Sequence, residues 1–391
     1  MNNYEITFWI LLFLVFYTYI GYGVVLILLV KVKELFSKKT KVDNEIFEPY
    51  VTLFVAAYNE KDCIEEKVKN MFELNYPTNK LQLLFVTDGS NDGTLELLKK
   101  HPEITVIHKA ERAGKIGAIN RGMEVVQHSV VIYSDANAML NPNAVQEIVK
   151  HYKDPKIGCV SGEKIILKKN KDIASGAGEG IYWKYESLLK SFDYRLYSAV
   201  GAAGELFSIR TELHQKIESD TILDDFMISM KIAEQGYKIA YEPNAFALEA
   251  ASLSTKEEMK RKIRISAGGI QSIIRLTSLF NFLKYGILTF QFISHRVLRW
   301  TLTPLALLAI LPLNFILIQQ GSGLIYEGLF YAQLLFYSFA LLGWHLENKQ
   351  IKIRMLFIPF YFFFMNWCVF LGIIRYLKGN QSVLWERAKR A

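Results

Sequence analysis

Polarity along the chain divides it into three zones. Residues 8–30 are almost uncharged, residues 297–318, 324–342 and 356–377 repeat that character toward the other end, and a long polar middle lies between. Each apolar run is long enough for a bilayer crossing, which takes about 20 helical residues. Tyr17, Tyr19 and Tyr22 are available for a membrane interface. Glu5 precedes the first run and positive charge follows it, the reverse of a cleaved secretory signal, so a retained anchor is expected. In the middle zone the pattern changes to short apolar runs at 51–57, 81–87, 104–107 and 130–133, separated by polar, helix-like stretches. That alternation predicts an α/β domain with a mainly parallel sheet covered by helices.

Composition supports a mixed architecture: 51% of the residues are hydrophobic and 21% charged, too apolar for an ordinary soluble chain and too polar for one wholly in lipid. A net charge of +8 raises the question of nucleic acid, but the cations cluster beside apolar runs and no nucleic-acid module is present. Lys31, Lys33, Lys38, Lys39 and Lys41 follow the first run and place the polar middle in the cytoplasm of a multi-pass cell-membrane protein. Lys256, Lys260, Arg261, Lys262 and Arg264 precede residues 270–282, which suit a helix at the lipid surface. Arg296, Arg299 and Trp300 read as interface anchors. Three crossings after the middle would leave Lys378, Arg387, Lys389 and Arg390 outside, against the charge rule, a parity that one interfacial or re-entrant run would mend. Cys63, Cys159 and Cys368 have neither disulfide-framework nor zinc spacing, which fits a reducing compartment. The expected divisions are 1–47 (first helix and basic linker), 48–250 (the α/β domain), 251–290 (an interfacial region) and 291–391 (the second membrane region and basic tail).

Sheets of this type gather ligands outside the carboxyl ends of their strands, and the polar groups fall there. Tyr58, Asn59 and Glu60 follow the first strand, Asp88 to Thr94 the second, and Ser134, Asp135 and Asn137 the fourth. Asn91, Asp92 and Asn141 also suit helix starts, whereas Asp88 and Asp135 lie at strand edges. Neither a Gly-x-Gly-x-x-Gly turn nor a Gly-Lys-Ser/Thr loop is present, so another way of holding a nucleotide is needed. Arg112, Gly114 and Lys115 offer a turn, two cations and a helix start, suited to phosphate or a base edge. Asp224 and Asp225 stand side by side before an apolar helix pattern. They favour a helix N-terminus through its dipole, or they form a general base and a neighbour that raises its proton affinity. The low bulk of Gly201-Ala-Ala-Gly204 permits either close approach to a ligand or a tight packing turn.

Taken in order, Val55-Ala-Ala-Tyr-Asn-Glu60, Asp88-Gly-Ser-Asn-Asp-Gly-Thr94, Gly114-Lys115 with Asn120, Ser134-Asp-Ala-Asn137, Gly201-Ala-Ala-Gly-Glu-Leu-Phe207 and Leu223-Asp-Asp225 resemble the processive-type family 2 glycosyltransferases, among them synthases of cellulose, hyaluronan and poly-N-acetylglucosamine. The resemblance implies a GT-A fold and inverting transfer from a nucleoside diphosphate sugar, most often a UDP-sugar, to a growing polysaccharide. A lipid-linked acceptor that receives one or a few sugars is the alternative, and a non-catalytic scaffold or transporter is the reading from another class. Tyr58, Glu60 and Asp88 would surround base and ribose, with Lys115 near the base or diphosphate. Asp135 matches the first acid of the family's metal-binding Asp-x-Asp motif and implies Mg²⁺ or Mn²⁺; Asn137 replaces the second acid. Asp225 falls on the general base, with Asp224 beside it, and Gly204 and Glu205 fall at the acceptor. Arg264 matches the Arg of Gln-x-x-Arg-Trp and would face diphosphate or acceptor. Arg261 and Ile265 replace that motif's Gln and its Trp, which normally stacks on the acceptor sugar. An accessory subunit is left open.

Overall fold

The computed structural model describes residues 2–36, 47–167, 174–250, 254–349, 351 and 353–379; Lys38, Lys39, Lys41, Arg387, Lys389 and Arg390 lie outside the described residues. Its centre is one sheet of eight strands: β1 (Val51–Ala57), β2 (Leu81–Asp88), β3 (Thr105–Lys109), β4 (Val130–Asp135), β5 (Met139–Leu140), β6 (Ile157–Leu167), β7 (Leu206–Arg210) and β8 (Lys238–Ala250). Their order is β3-β2-β1-β4-β7-β6-β8-β5. Every residue of β1 is buried, as its unbroken apolar run requires of a central strand covered on both faces. The parallel register sets Ala57 beside Thr87 and Ala56 beside Asp135, so β1, β2 and β4 end nearly flush. Asp88 and Asp135 are the last residues of β2 and β4, the strand-edge positions expected of them.

The sheet is mixed rather than mainly parallel. β7 runs antiparallel to both β4 and β6, and β5 antiparallel to β8. The long strands β6 and β8 escaped the apolar pattern because they carry polar side chains that bond to protein rather than water. Lys164 pairs with Glu249, and Tyr241 donates to Glu163. Asn141 does not cap a helix: its side chain accepts from Phe246 N at 2.8 Å and donates to Asn244 O at 3.0 Å, tying the loop to β8, while Asn143 precedes the helix Ala144–Val149. Asp92 does serve the next helix, accepting from Thr94 N at 3.0 Å.

Two apolar clusters flank the sheet. Leu53, Val55, Phe85 and Ile132 face Val145 and Ile148 on one side. On the other, Phe54, Leu84 and Phe207 join Phe226 and Met227 of the helix Asp224–Glu234, hereafter the base helix, and reach Trp300 and Val369. Each buried side chain of this size contributes about 1.5–3 kcal/mol, so the second cluster fastens the domain to the segments leading into the membrane region.

Four helices are long and apolar enough to cross a membrane: Asn3–Phe36, Leu302–Gln319, Leu324–Asn348 and Met355–Leu377. The second begins later than residue 297 because Arg296, Arg299 and Trp300 are buried rather than set at a lipid interface. Arg296 and Arg299 meet Glu186 of the helix Ala174–Leu196, at 2.6 and 3.0 Å, and Trp300 packs on Gly269. The basic stretch also differs from the expected surface helix. Helix Thr255–Arg275, here the linking helix, buries Glu258, Lys262, Ser266, Gly268 and Gly269, and its small residues let Ile222, Leu223 and Trp300 pack close. It stops at Arg275, inside the segment expected to lie along lipid.

Candidate active site

Beyond the ends of β1 and β2 lies an open hollow lined by Tyr58, Asp88, Arg112, Gly114 and Lys115 among others, with Ala56 and Ala118 leaving room. The Arg112 guanidinium sits 3.8 Å from the centre of the Tyr58 ring, a cation–π stack that offers a flat cationic wall. Asp88 shapes this hollow more than it lines it with free oxygens. Its Oδ2 accepts from Ala113 N and Gly114 N at 2.9 and 2.7 Å, and its Oδ1 faces Arg121 at 3.3 Å. It therefore fixes the start of the helix Gly114–Met123, which carries Lys115. Glu60 is not among the lining residues. Only 2% exposed, it accepts from Cys63 Sγ, and its backbone forms the turn into the helix Ile64–Phe72.

Lys115 is the hub of the site. Its ammonium lies 3.0 Å from Asp135 Oδ1 and 3.0 Å from Asp224 Oδ2, joining the end of β4 to the start of the base helix. Burial pushes Lys115 down, but Asp135, Asp224 and Asp225 together hold it above its ordinary value. Asp225 behaves differently. Burial first, and the Asp224 charge second, push its carboxyl up to about 7. Both acids occupy the first turn of the base helix, and Asp225 Oδ1 accepts from Phe226 N at 2.8 Å. The helix-terminus reading and the proton-acceptor reading are therefore compatible.

Glycine is required opposite these acids. Gly201 has φ +87°, and a Cβ there would fall 2.3 Å from the Phe226 ring. A Cβ on Gly204 would lie 2.9 Å from Asp225 Oδ2, so its bare backbone is what admits the carboxylate. Glu205 is bound by Lys164, with burial opposing and Lys164 drawing its carboxyl well below the usual range. Arg264 forms no ion pair or hydrogen bond among the described residues. Burial lowers its guanidinium, while Asp224, Asp135 and Asp225 attract it. Arg261 instead pairs with Glu258 at 3.1 Å.

Among the described residues no three His, Cys, Asp or Glu side chains converge to hold a metal. Asp135 and Asn137 do fit a hard cation whose remaining ligands come from a diphosphate and water, the usual arrangement for Mg²⁺. Asn137 spends its amide N–H on Glu249 at 3.3 Å, so the carbonyl oxygen is the group it has to offer. Arg121 behind Asp88, and the ties of Glu186 to Arg296 and Arg299, were not singled out from the sequence for these contacts. They rest on residues far apart in the chain, and no local spacing signals them.

Residues 52–217 match the family described as Glycosyl transferase family 2. The poly-beta-1,6-N-acetyl-D-glucosamine synthase of Staphylococcus aureus is 28% identical over 250 residues, 61% of this chain and 59% of that protein. The chain thus spans 59% of the length of that relative. The beta-monoglucosyldiacylglycerol synthase of Nostoc sp. is 28% identical over 167 residues, 40% of this chain and 34% of that one. Among solved structures, the mannosyltransferase PcManGT from Pyrobaculum calidifontis, in complex with GDP-Man and Mn²⁺, superposes with a TM-score of 0.71 at 21% identity, covering 96% of this chain and 99% of its own. Residues 52–217 thus match the family 2 glycosyl transferase model on a GT-A fold, flanked by four apolar helices able to cross a membrane.

Proposed function

We propose that this chain transfers a sugar, with inversion at the anomeric carbon, from a nucleoside diphosphate donor to a hydroxyl of a growing glycan. The observation that carries the reading is Asp225, a buried carboxylate raised to about 7 beside a lysine that already holds two other acids. A base of that affinity is partly ionised at neutral pH and still strong enough to take a proton as the hydroxyl attacks. The hydroxyl oxygen forms its bond to the anomeric carbon from the face opposite the diphosphate, the bond to the diphosphate oxygen breaks, and the proton goes to Asp225. Tyr58 and Arg112 would hold the nucleoside, and Lys115 and Arg264 would face the negative charge that builds on the departing diphosphate. Asp88 acts by fixing the turn at Gly114. A divalent cation on Asp135 and Asn137, Mg²⁺ or Mn²⁺, would neutralise part of that same charge.

A UDP-sugar is the first donor to test. The mannosyltransferase of the same fold holds GDP-Man with Mn²⁺, so guanosine diphosphate sugars belong in the panel. A second reading, transfer of one or a few sugars to a lipid-linked acceptor, is favoured by the linking helix, where Ile265 stands in place of the acceptor-stacking Trp and Arg261 is engaged by Glu258. Membranes containing the chain are incubated with labelled UDP- and GDP-sugars and either Mg²⁺ or Mn²⁺, and the product is sized. High-mass product supports the glycan polymerase, and solvent-extractable product supports the lipid acceptor. Label that stays on the nucleotide throughout, with a control transferase active, sinks the proposal.

A further inference from the structure

We infer that Trp183, Lys190 and Lys262 form a subsite for the anionic head of an amphiphilic acceptor, an inference that rests on the transferase reading above. The Trp183 ring is faced by three ammonium groups: Lys164 at 5.3 Å from its centre, Lys262 at 5.7 Å and Lys190 at 5.9 Å. All three lysines are buried, at 3%, 5% and 4% exposure respectively. A desolvated ammonium is costly unless an opposite charge or hydrogen-bond acceptor meets it. Lys164 has Glu205 and Glu249, and Lys262 has Glu258 at 3.5 Å. The Lys190 ammonium makes neither ion pair nor hydrogen bond among the described residues and has the Trp183 ring as its contact. Three like charges gather around one ring, and the Lys190 ammonium has no anionic partner among the described residues, an arrangement that matches a bound anion. A phosphoryl group has the charge and the acceptor oxygens to answer them.

Position points to the acceptor rather than the donor. Lys164 leads through Glu205 to the electrostatic surroundings of Asp225, whereas none of these residues lines the Tyr58–Arg112 hollow. Position also points to an amphiphile. Lys262 belongs to the linking helix, whose Met259 and Ile263 pack on Phe360, Phe364 and Cys368 of the fourth apolar helix. The cage thus lies at the seam between the catalytic domain and the fourth apolar helix.

The full chain in neutral detergent is titrated with decyl phosphate, with decyl maltoside and with a soluble glucuronic acid oligosaccharide, following tryptophan fluorescence and thermal midpoint. The same titrations are run on Lys190→Met and Lys262→Met, with donor-nucleotide binding as the control for folding. Replacing an uncompensated buried charge with an apolar side chain of similar length preserves the fold. Decyl phosphate is expected to raise the midpoint of the wild-type chain, and Lys190→Met to weaken its binding at least tenfold while changing decyl maltoside binding less than twofold. Equal binding of decyl phosphate by the wild type and both variants overturns the subsite. Stronger binding of the soluble oligosaccharide than of decyl phosphate overturns the amphiphile. No turnover is needed for this readout, so absence of sugar transfer with decyl phosphate still bound at Lys190 counts against the transferase reading alone.

Discussion

A carboxylate that has to accept a proton cannot be held in an ion pair as firmly as one that only supplies charge, and the three acids around Lys115 divide accordingly. Asp135 and Asp224 touch the ammonium at 3.0 Å, while Asp225 feels it only at a distance and rises to about 7. Asp225 must be ionised to act, so kcat/KM of the wild type should climb about tenfold per pH unit below 7 and level off above it. Asp225→Asn should lower transfer at least a thousandfold with nucleotide affinity within a factor of three; undiminished transfer would remove the base from the mechanism. A like charge raises an acid's proton affinity, so Asp224→Asn should move the acidic limb to lower pH, and a limb that stays put would show that burial alone sets it. Gly204→Ala gives a separate check. The added methyl meets the mobile end of Asp225, which can swing aside, so the variant should fold with a thermal midpoint close to wild type and yet lose at least tenfold in kcat.

Elements rather than single residues decide how the catalytic layer meets the membrane region. Helix Ala174–Leu196 presents Glu186 to Arg296, Arg299 and His295, and Asp193 to His295 and Tyr22, so three distant segments close on one buried polar core. Removing one partner of a buried pair leaves charge uncompensated and costs about 3–5 kcal/mol. Glu186→Gln should lower the midpoint by about 10 °C, while Glu34→Gln, which breaks an exposed pair with Arg195, should change it by no more than about 2 °C. Equal effects would place no special weight on the buried core. This core also marks where sequence reading stopped. Strands β1, β2 and β4, and the acids ending β2 and β4, were legible because a parallel strand buried on both faces must be a continuous apolar run with its polar groups displaced to the tip. Glu186, Asp193 and Arg296 were not, because a charged residue has the same local signature whether solvent or a partner a hundred positions away receives it. Arg296 and Trp300 were read as membrane anchors for that reason.

At the scale of the whole molecule, the four apolar helices do not have equal surroundings. The helix Arg354–Leu377 runs beside the linking helix, with Gly372 against Ser266 and Ala267, and its Val369 and Ile373 pack into the apolar cluster of the catalytic domain. A helix docked on the catalytic domain over that length is expected to stay on the domain's side of the membrane, leaving three crossings and placing Lys378 with the other positive charges. A reporter beyond Gly379 should then be reached only after permeabilisation, and one in the Gly321–Gly323 turn should be reached from outside; reporters reached from the same side would restore the fourth crossing. The hollow beside Tyr58 is built from residues 56–118, whereas Lys164, Glu186, Glu205 and Asp225 follow later in the chain. Under the proposed reading, acceptor preference can drift, or be transplanted by one crossover near Lys156, with donor choice inherited intact, provided that Lys115 and Asp224 still find each other across the join.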